Sequence, residues 1–225
     1  MNDTSKKPIK LVSPAKYFKA DHSKCFLTVS SPDTQTSRYI KQEGYQARLY
    51  WQFRYCQEND GQTFFYTLTY NDSAIPTYLG RNCFDYEDLR DIFTGGFRKM
   101  LLRKYGTTFK YFVGAELGEG AGKRGMENNP HYHVLFFLED AKNPEYPYEK
   151  ITPEAFRSLV KLYWQGFDET VNGEFFDYRT AKYGIAKEGD YCGLVLDFRA
   201  ISYVSKYVTK VFIIKAITTE IGRNS

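Results

Sequence analysis

No stretch of this chain comes near the about 18 uninterrupted apolar residues that cross a bilayer. The opening MNDTSKKP carries no apolar signal core either. A membrane or secreted protein is therefore not expected; a soluble, cytoplasmic one is. Cysteine is scarce, with only Cys25, Cys56, Cys83 and Cys192, far apart and without a CxxC pair. That excludes a zinc ribbon or a disulfide framework legible from spacing, and suits a reducing compartment. Charge of one sign is lacking too: 31 basic against 27 acidic residues leave +4. Such a balance permits nucleic-acid binding without implying it. The Gly-rich stretch Gly118–Arg124 lacks the G-x4-GK spacing and the Ser/Thr that follows it. A P-loop, and with it a nucleotide-driven motor, is excluded.

What is abundant is aromatic. The chain has 20 Tyr, 18 Phe and 2 Trp among 225 residues, or 18%. That exceeds what a core of this size needs, so some rings are expected at the surface, where they suit base stacking on single strands. A sheet core rich in Tyr accounts for most of the surplus equally well.

Length predicts one domain with extensions. Residues 1–36 read as a polar, Pro-punctuated arm with one candidate strand, Cys25–Val29. A helix is expected across 37–58, mixing Arg38, Lys41, Arg48 and Arg54 with Tyr45, Tyr50, Trp51 and Phe53. This interleaving fits a strand-binding face and equally a helix packing its rings on a sheet. Phe64–Tyr70 is β-rich and bounded by turn signals. Apolar residues keep a helical stripe over 85–105, interrupted by Gly95-Gly96. Gly96 lies on the apolar face, where close helix–sheet approach would explain it. Phe109–Leu117 is the next strand, 118–130 a glycine-containing loop, and His131–Glu139 a strand apolar enough to be central. Thr152 caps a second helix whose first residue is Pro153. Strand-like segments follow near Gly173–Tyr178 and Tyr191–Phe198, and a last helix begins near Ala200. The order β-α-β-β-α-β-α predicts an α+β fold: a mostly antiparallel sheet with helices on its faces.

Two of the three histidines, His131 and His133, sit two apart on a strand. Residues i and i+2 share a face, so the two imidazoles form half of a metal site, while Tyr132 points to the packed side. Pairing Phe109–Leu117 with His131–Glu139 as a hairpin brings Glu116 opposite the histidine end. Glu119 and Glu127 are competing ligands from the loop. Two imidazoles and a carboxylate leave coordination positions open, as catalysis requires. The set accepts Mg²⁺ or Mn²⁺ and can also hold Zn²⁺.

The segment Ile201–Lys210, ISYVSKYVTK, reads as an amphipathic helix. Ile201, Val204 and Val208 fall on one face, and Tyr203, Lys206, Tyr207 and Lys210 on the other. A phenol can act as a covalent nucleophile, and a lysine beside it can hold a phosphate or protonate a leaving oxygen. Snorkelling lysines over tyrosine rings on a plain surface helix would look the same. Combined with the histidine pair, a nuclease reading is favoured.

Three segments carry a family resemblance. Thr67-Leu68-Thr69-Tyr70 resembles the first motif of the HUH endonucleases, and Pro130-His131-Tyr132-His133 resembles their His-hydrophobic-His motif. Tyr203-Val-Ser-Lys-Tyr207-Val-Thr-Lys210 resembles the two-tyrosine motif of their rolling-circle replication initiators, the nearest pattern being that of the microviruses. Glu116-Leu117-Gly118 is similar to their Glu-x-Gly segment. Here Leu117 replaces the usual aromatic, Asn129 the usual Arg before Pro130, and no cysteine-containing segment precedes the first motif. The resemblance implies an HUH/RRM-like βαββαβ sheet with the nucleophile helix C-terminal, in a nuclease domain over 61–215. An arm and basic aromatic helix over 1–60 would precede it, and a tail over 216–225 would follow. It implies a metal-dependent, site-specific single-stranded DNA endonuclease and strand transferase that nicks and joins through a 5′-phosphotyrosine to initiate rolling-circle replication of a phage genome. His131, His133 and Glu116 would hold Mg²⁺ or Mn²⁺. Tyr203 and Tyr207 would be nucleophiles assisted by Lys206 and Lys210. The expected partner is origin single-stranded DNA, as a hairpin, in the host bacterial cytoplasm. Host helicase or polymerase are candidate further partners, docking on the basic N-terminal helix. Two rival readings are an HUH transposase or plasmid replication initiator, and a non-catalytic RRM-like single-strand-binding module, in which the paired histidines would have no task.

Overall fold

Alternation along three long strands decides the architecture. The computed structural model describes residues 35–119, 127–139, 150–166, 181–187, 193–206 and 212–214. In chain order these form α1 (Gln35–Glu58), β1 (Gln62–Tyr70), a ribbon of β2 (Thr77–Tyr78) and β3 (Arg81–Asn82), and a 3-10 turn (Glu87–Leu89). Then come α2 (Arg90–Phe93), α3 (Gly96–Tyr105), β4 (Phe109–Glu119), β5 (Glu127–Leu138) and α4 (Pro153–Gln165). β6 (Gly184–Lys187), β7 (Gly193–Leu194), α5 (Phe198–Ser205) and β8 (Phe212–Ile214) complete the order. The sheet runs β6-β1-β5-β4-β8, with β7 also pairing with β1, and every pairing is antiparallel. The fold is α+β, as expected, with β5 at its centre.

Each central strand sends alternate residues to opposite faces. Tyr132, Val134, Phe136 and Leu138 of β5 pack with Phe64, Tyr66 and Leu68 of β1 beneath α2, α3 and α4. Leu135 and Phe137 of β5 pack with Phe65 and Phe112 beneath α1 and α5, against Leu49, Phe53, Ile201 and Val204. On the first face Phe64 stacks on Phe156 at 4.1 Å and Phe93 on Tyr111 at 3.9 Å. Such pairs add about 0.5–1.5 kcal/mol beyond the area they bury. The largest fully buried side chains are all aromatic, so most of the surplus is core.

Local signals explain the helix ends. Thr152 Oγ1 accepts from Ala155 N at 3.2 Å, Pro153 starts α4, and Gly166 ends it at φ 78°. Asp197 caps α5 by accepting from Arg199 N at 2.8 Å. Those side-chain and backbone hydrogen bonds from Arg199 hold the Asp197 carboxyl below the usual range.

Several expectations need correcting. The stripe over 85–105 is broken into the 3-10 turn, α2 and α3, because Thr94 N and Gly95 N both close onto Arg90 O. Gly96 is small for a helix–helix contact rather than a helix–sheet one: a Cβ there would stand 2.8 Å from the Tyr163 ring of α4. The loop expected over 118–130 is shorter, since β4 continues to Glu119 and β5 starts at Glu127 through a register shift after Leu117. Only Gly193–Leu194 of the segment 191–198 is strand, because the Asp197 cap starts α5 at Phe198. β6 and β8 were not expected. Cys83 is disulfide-bonded, a pairing that spacing along the chain could not reveal, whereas Cys56 is a free thiol. The strands expected at 25–29 and 173–178 lie outside the described residues. Among the described residues, no helix is long and apolar enough to cross a membrane.

Candidate metal and nucleophile site

The register of β1, β5 and β4 assembles the site. Thr67 pairs with His133 and Thr69 with His131 across β1 and β5, while Glu116 pairs with His131 and Gly114 with His133 across β4 and β5. Directly paired residues share a face, so all these positions lie on the side covered by α1 and α5. Tyr132 points the other way, as expected. Its hydroxyl donates to Asp85 O at 2.9 Å and lies 3.2 Å from the Tyr70 hydroxyl, which donates to Asp88 Oδ2 at 2.7 Å. Burial holds both phenols well above the ordinary tyrosine range. This buried network pins the residue between the histidines.

Both imidazoles are oriented through Nδ1. Thr67 Oγ1 lies 3.1 Å from His133 Nδ1, and Thr69 Oγ1 lies 2.9 Å from His131 Nδ1. His133 Nε2 is 3.1 Å from Glu116 Oε2, in a pair where His133 is buried and Glu116 nearly so. Without an ion, the tautomer that donates from Nε2 to Glu116 takes the Thr67 hydroxyl proton at Nδ1. If Nδ1 instead donates to Thr67, the Nε2 lone pair is released towards Glu116. Hydroxyl partners therefore allow either tautomer, and fixing the far nitrogen is how ligating histidines are commonly held.

Gly118 completes the cradle. A Cβ there would stand 2.9 Å from His131 Nε2. The residue after Leu117 must be small for that nitrogen to stay accessible. Beside it, Asn129 is buried, and its Oδ1 has no hydrogen-bond partner among the described residues.

The nucleophile candidate comes from α5. Ile201 and Val204 are buried, as the amphipathic pattern predicts, and Tyr203 is half-buried. Its ring meets the His133 ring edge-on with centroids 6.2 Å apart, and the Phe65 ring at 6.0 Å. Lys206 Nζ is 5.9 Å from the centre of the Tyr203 ring. Tyr207 and Lys210 lie outside the described residues, as do the side chains of Glu119 and Glu127.

The structure thus brings His133, Glu116 and Tyr203 together, with His131 on the same face. Among the described residues, no three His, Cys, Asp or Glu groups already converge as a metal cluster. The donor chemistry nevertheless fits a divalent ion: one carboxylate, two imidazoles held from their far nitrogens, and a glycine where any side chain would intrude. Sequence reasoning missed the role of Thr67 and Thr69. The signal was available in their i, i+2 spacing, which matches that of the histidines across the strand pair.

An antiparallel α+β domain with paired histidines on its central strand and a tyrosine helix over them is the class defined by fold and site. The model of the replication-associated protein family of ORF2 type matches residues 63–212, two thirds of the chain. The chain belongs to that family. The match runs from β1 into β8 and includes every candidate site residue. No curated protein and no solved structure matches the chain significantly.

Proposed function

We propose that this replication-associated protein is a metal-dependent, site-specific single-stranded DNA endonuclease and strand transferase that initiates rolling-circle replication of a phage genome. The observation that carries the reading is the Tyr203 ring edge-on to the His133 imidazole at 6.2 Å, while His133 also contacts Glu116 at 3.1 Å. His131, His133 and Glu116 would hold Mg²⁺ or Mn²⁺, which when bound supplies Lewis-acid polarisation of the scissile phosphate.

The chain's own residues do the rest. Thr67 and Thr69 hold the two imidazoles in the plane their hydrogen bonds define. The Tyr203 phenol oxygen attacks phosphorus, and the bond to the 3′-oxygen breaks. The phenol loses its proton and the departing oxygen gains one, leaving a 5′-phosphotyrosine and a free 3′-OH. Lys206 offers positive charge next to the phenol, which favours the attacking oxygen and the incoming phosphate. Tyr207 and Lys210, later on the same segment, would serve the second cut, after which a 3′-OH attacks the phosphotyrosine and closes the circle. The substrate is origin DNA in hairpin form, the working domain spans 61–215, and host helicase or polymerase act on the released 3′ end.

The test is a nicking assay on circular single-stranded DNA with Mn²⁺. A covalent protein–DNA band is expected that disappears with chelator and in the Tyr203→Phe/Tyr207→Phe double variant. Adduct that persists in the double variant would refute the nucleophile assignment. Adduct that persists in chelator would refute the metal requirement.

A further inference from the structure

The outer face of α1 has a built feature that the nuclease reading leaves unused. Trp51 is 69% exposed and Tyr55 48% exposed, and a cavity of about 550 Å³ opens between them and Arg48, Gln52, Arg54 and Lys110. Two rings in reach of three cations combine a stacking platform with phosphate counter-charge. Lys110 Nζ lies 5.3 Å from the Tyr55 ring centre and 2.6 Å from Glu139, and Arg54 pairs with Glu58 at 2.8 Å. These are exposed ion pairs, the weak kind that an arriving phosphate can replace. Gln52 lines the same cavity, and its Nε2 is buried without a hydrogen-bond partner among the described residues. Turning that amide outward gives a donor to a base edge or a phosphate oxygen.

Placement links this cavity to the nucleophile. Lys110 shares a face of β4 with Glu116, about 20 Å along the strand. Helix α1 reaches α5 as well: Gln46 Nε2 donates to Ser202 Oγ at 3.2 Å, one residue before Tyr203. A strand held at Tyr203 can therefore continue along α1 towards Trp51.

We propose that the Trp51–Tyr55 cavity is a stacking subsite for single-stranded DNA flanking the nick, taking one base between the rings and its phosphates on Arg48, Arg54 and Lys110. This rests on the nuclease reading for the identity of the strand. The chain has two tryptophans, and Trp164 is fully buried, so a DNA-dependent change in tryptophan emission reports Trp51.

The experiment titrates the full chain in chelator, where no cleavage intrudes, with a short oligothymidylate unrelated to any origin. Emission should be quenched on binding. Trp51→Ala should weaken binding about tenfold and Trp51→Phe much less, as expected for a lost stacking contact. Arg48→Ala and Lys110→Ala should each lower the salt slope by about 0.7. Absent quenching, unchanged affinity in Trp51→Ala, or equal binding of a duplex would overturn the subsite. Nicking of circular DNA is scored separately. Adduct without a Trp51 signal refutes the cavity and leaves the nuclease; a Trp51 signal without adduct refutes the nuclease and leaves a single-strand site.

Discussion

The two faces of the sheet are made by the same strands, one residue out of phase, and they are built to opposite ends. Beneath α2, α3 and α4 the alternate residues are aromatic and aliphatic, and the polar atoms present, the hydroxyls of Tyr70 and Tyr132, are bonded to each other, to Asp88 and to the Asp85 carbonyl. Beneath α1 and α5 the same strands carry apolar residues at one end and Thr67, Thr69, Glu116, His131 and His133 at the other. The first face stabilises, and the second sacrifices apolar burial for groups that can bind and react. Strand alternation makes this division possible, because a one-residue shift would exchange the two sets.

The comparison predicts separable effects. On the reactive face, His133→Ala should lower Mn²⁺-dependent nicking about a thousandfold, the scale of losing a group that stabilises the transition state. Urea unfolding of that variant should stay near wild type, and a large stability loss there would break the division. On the packed face, Phe156→Ala should cost about 3–5 kcal/mol in urea unfolding, since Phe156 is fully buried against Phe64 and Phe136. Its nicking rate, measured where the protein is fully folded, should be little changed. Between them, Thr67→Val should reduce activity or Mn²⁺ affinity about 10–100-fold by freeing the imidazole it orients.

The buried phenols sharpen the contrast through pH. Burial raises Tyr70, Tyr132 and Tyr111 above the ordinary value of 10.0, so the folded chain retains protons that the unfolded chain loses. Their contribution to stability is fully present below that value and is lost as pH rises above it. Denaturation should therefore ease above about pH 10, and Tyr132→Phe should flatten that slope. The smallest effect is expected at a helix end. Thr152→Ala should cost about 1 kcal/mol by removing the α4 cap, with activity unchanged.

Much of this was legible in the sequence, for identifiable reasons. The His131/His133 spacing has the period of a strand, and Thr152-Pro153 is a cap with its first helical residue, so both could be placed from local pattern. The 201–205 stripe likewise separated buried Ile201 and Val204 from Tyr203. What stayed hidden depends on contacts distant in the chain. Gly184 in β6 is glycine because a Cβ there would collide with the Thr69 carbonyl, and four residues with a small one inside carry little strand signal. β8 is three residues long and defined by pairing with β4. The orienting threonines could be recognised only once the register set Thr67 beside His133 and Thr69 beside His131. The Gly96 contact reads differently for the same reason, since its partner Tyr163 lies on another helix.

The most direct test of a reactive face is to find where DNA becomes attached. Trypsin cuts after Arg199, Lys206 and Lys210, so Tyr203 and Tyr207 fall in different peptides. Mass spectrometry of the nuclease-trimmed adduct should find nucleotide on Ala200–Lys206 or Tyr207–Lys210, and on neither when both tyrosines are Phe. Nucleotide on any peptide from the packed face, or on a residue outside 200–210, would contradict the account.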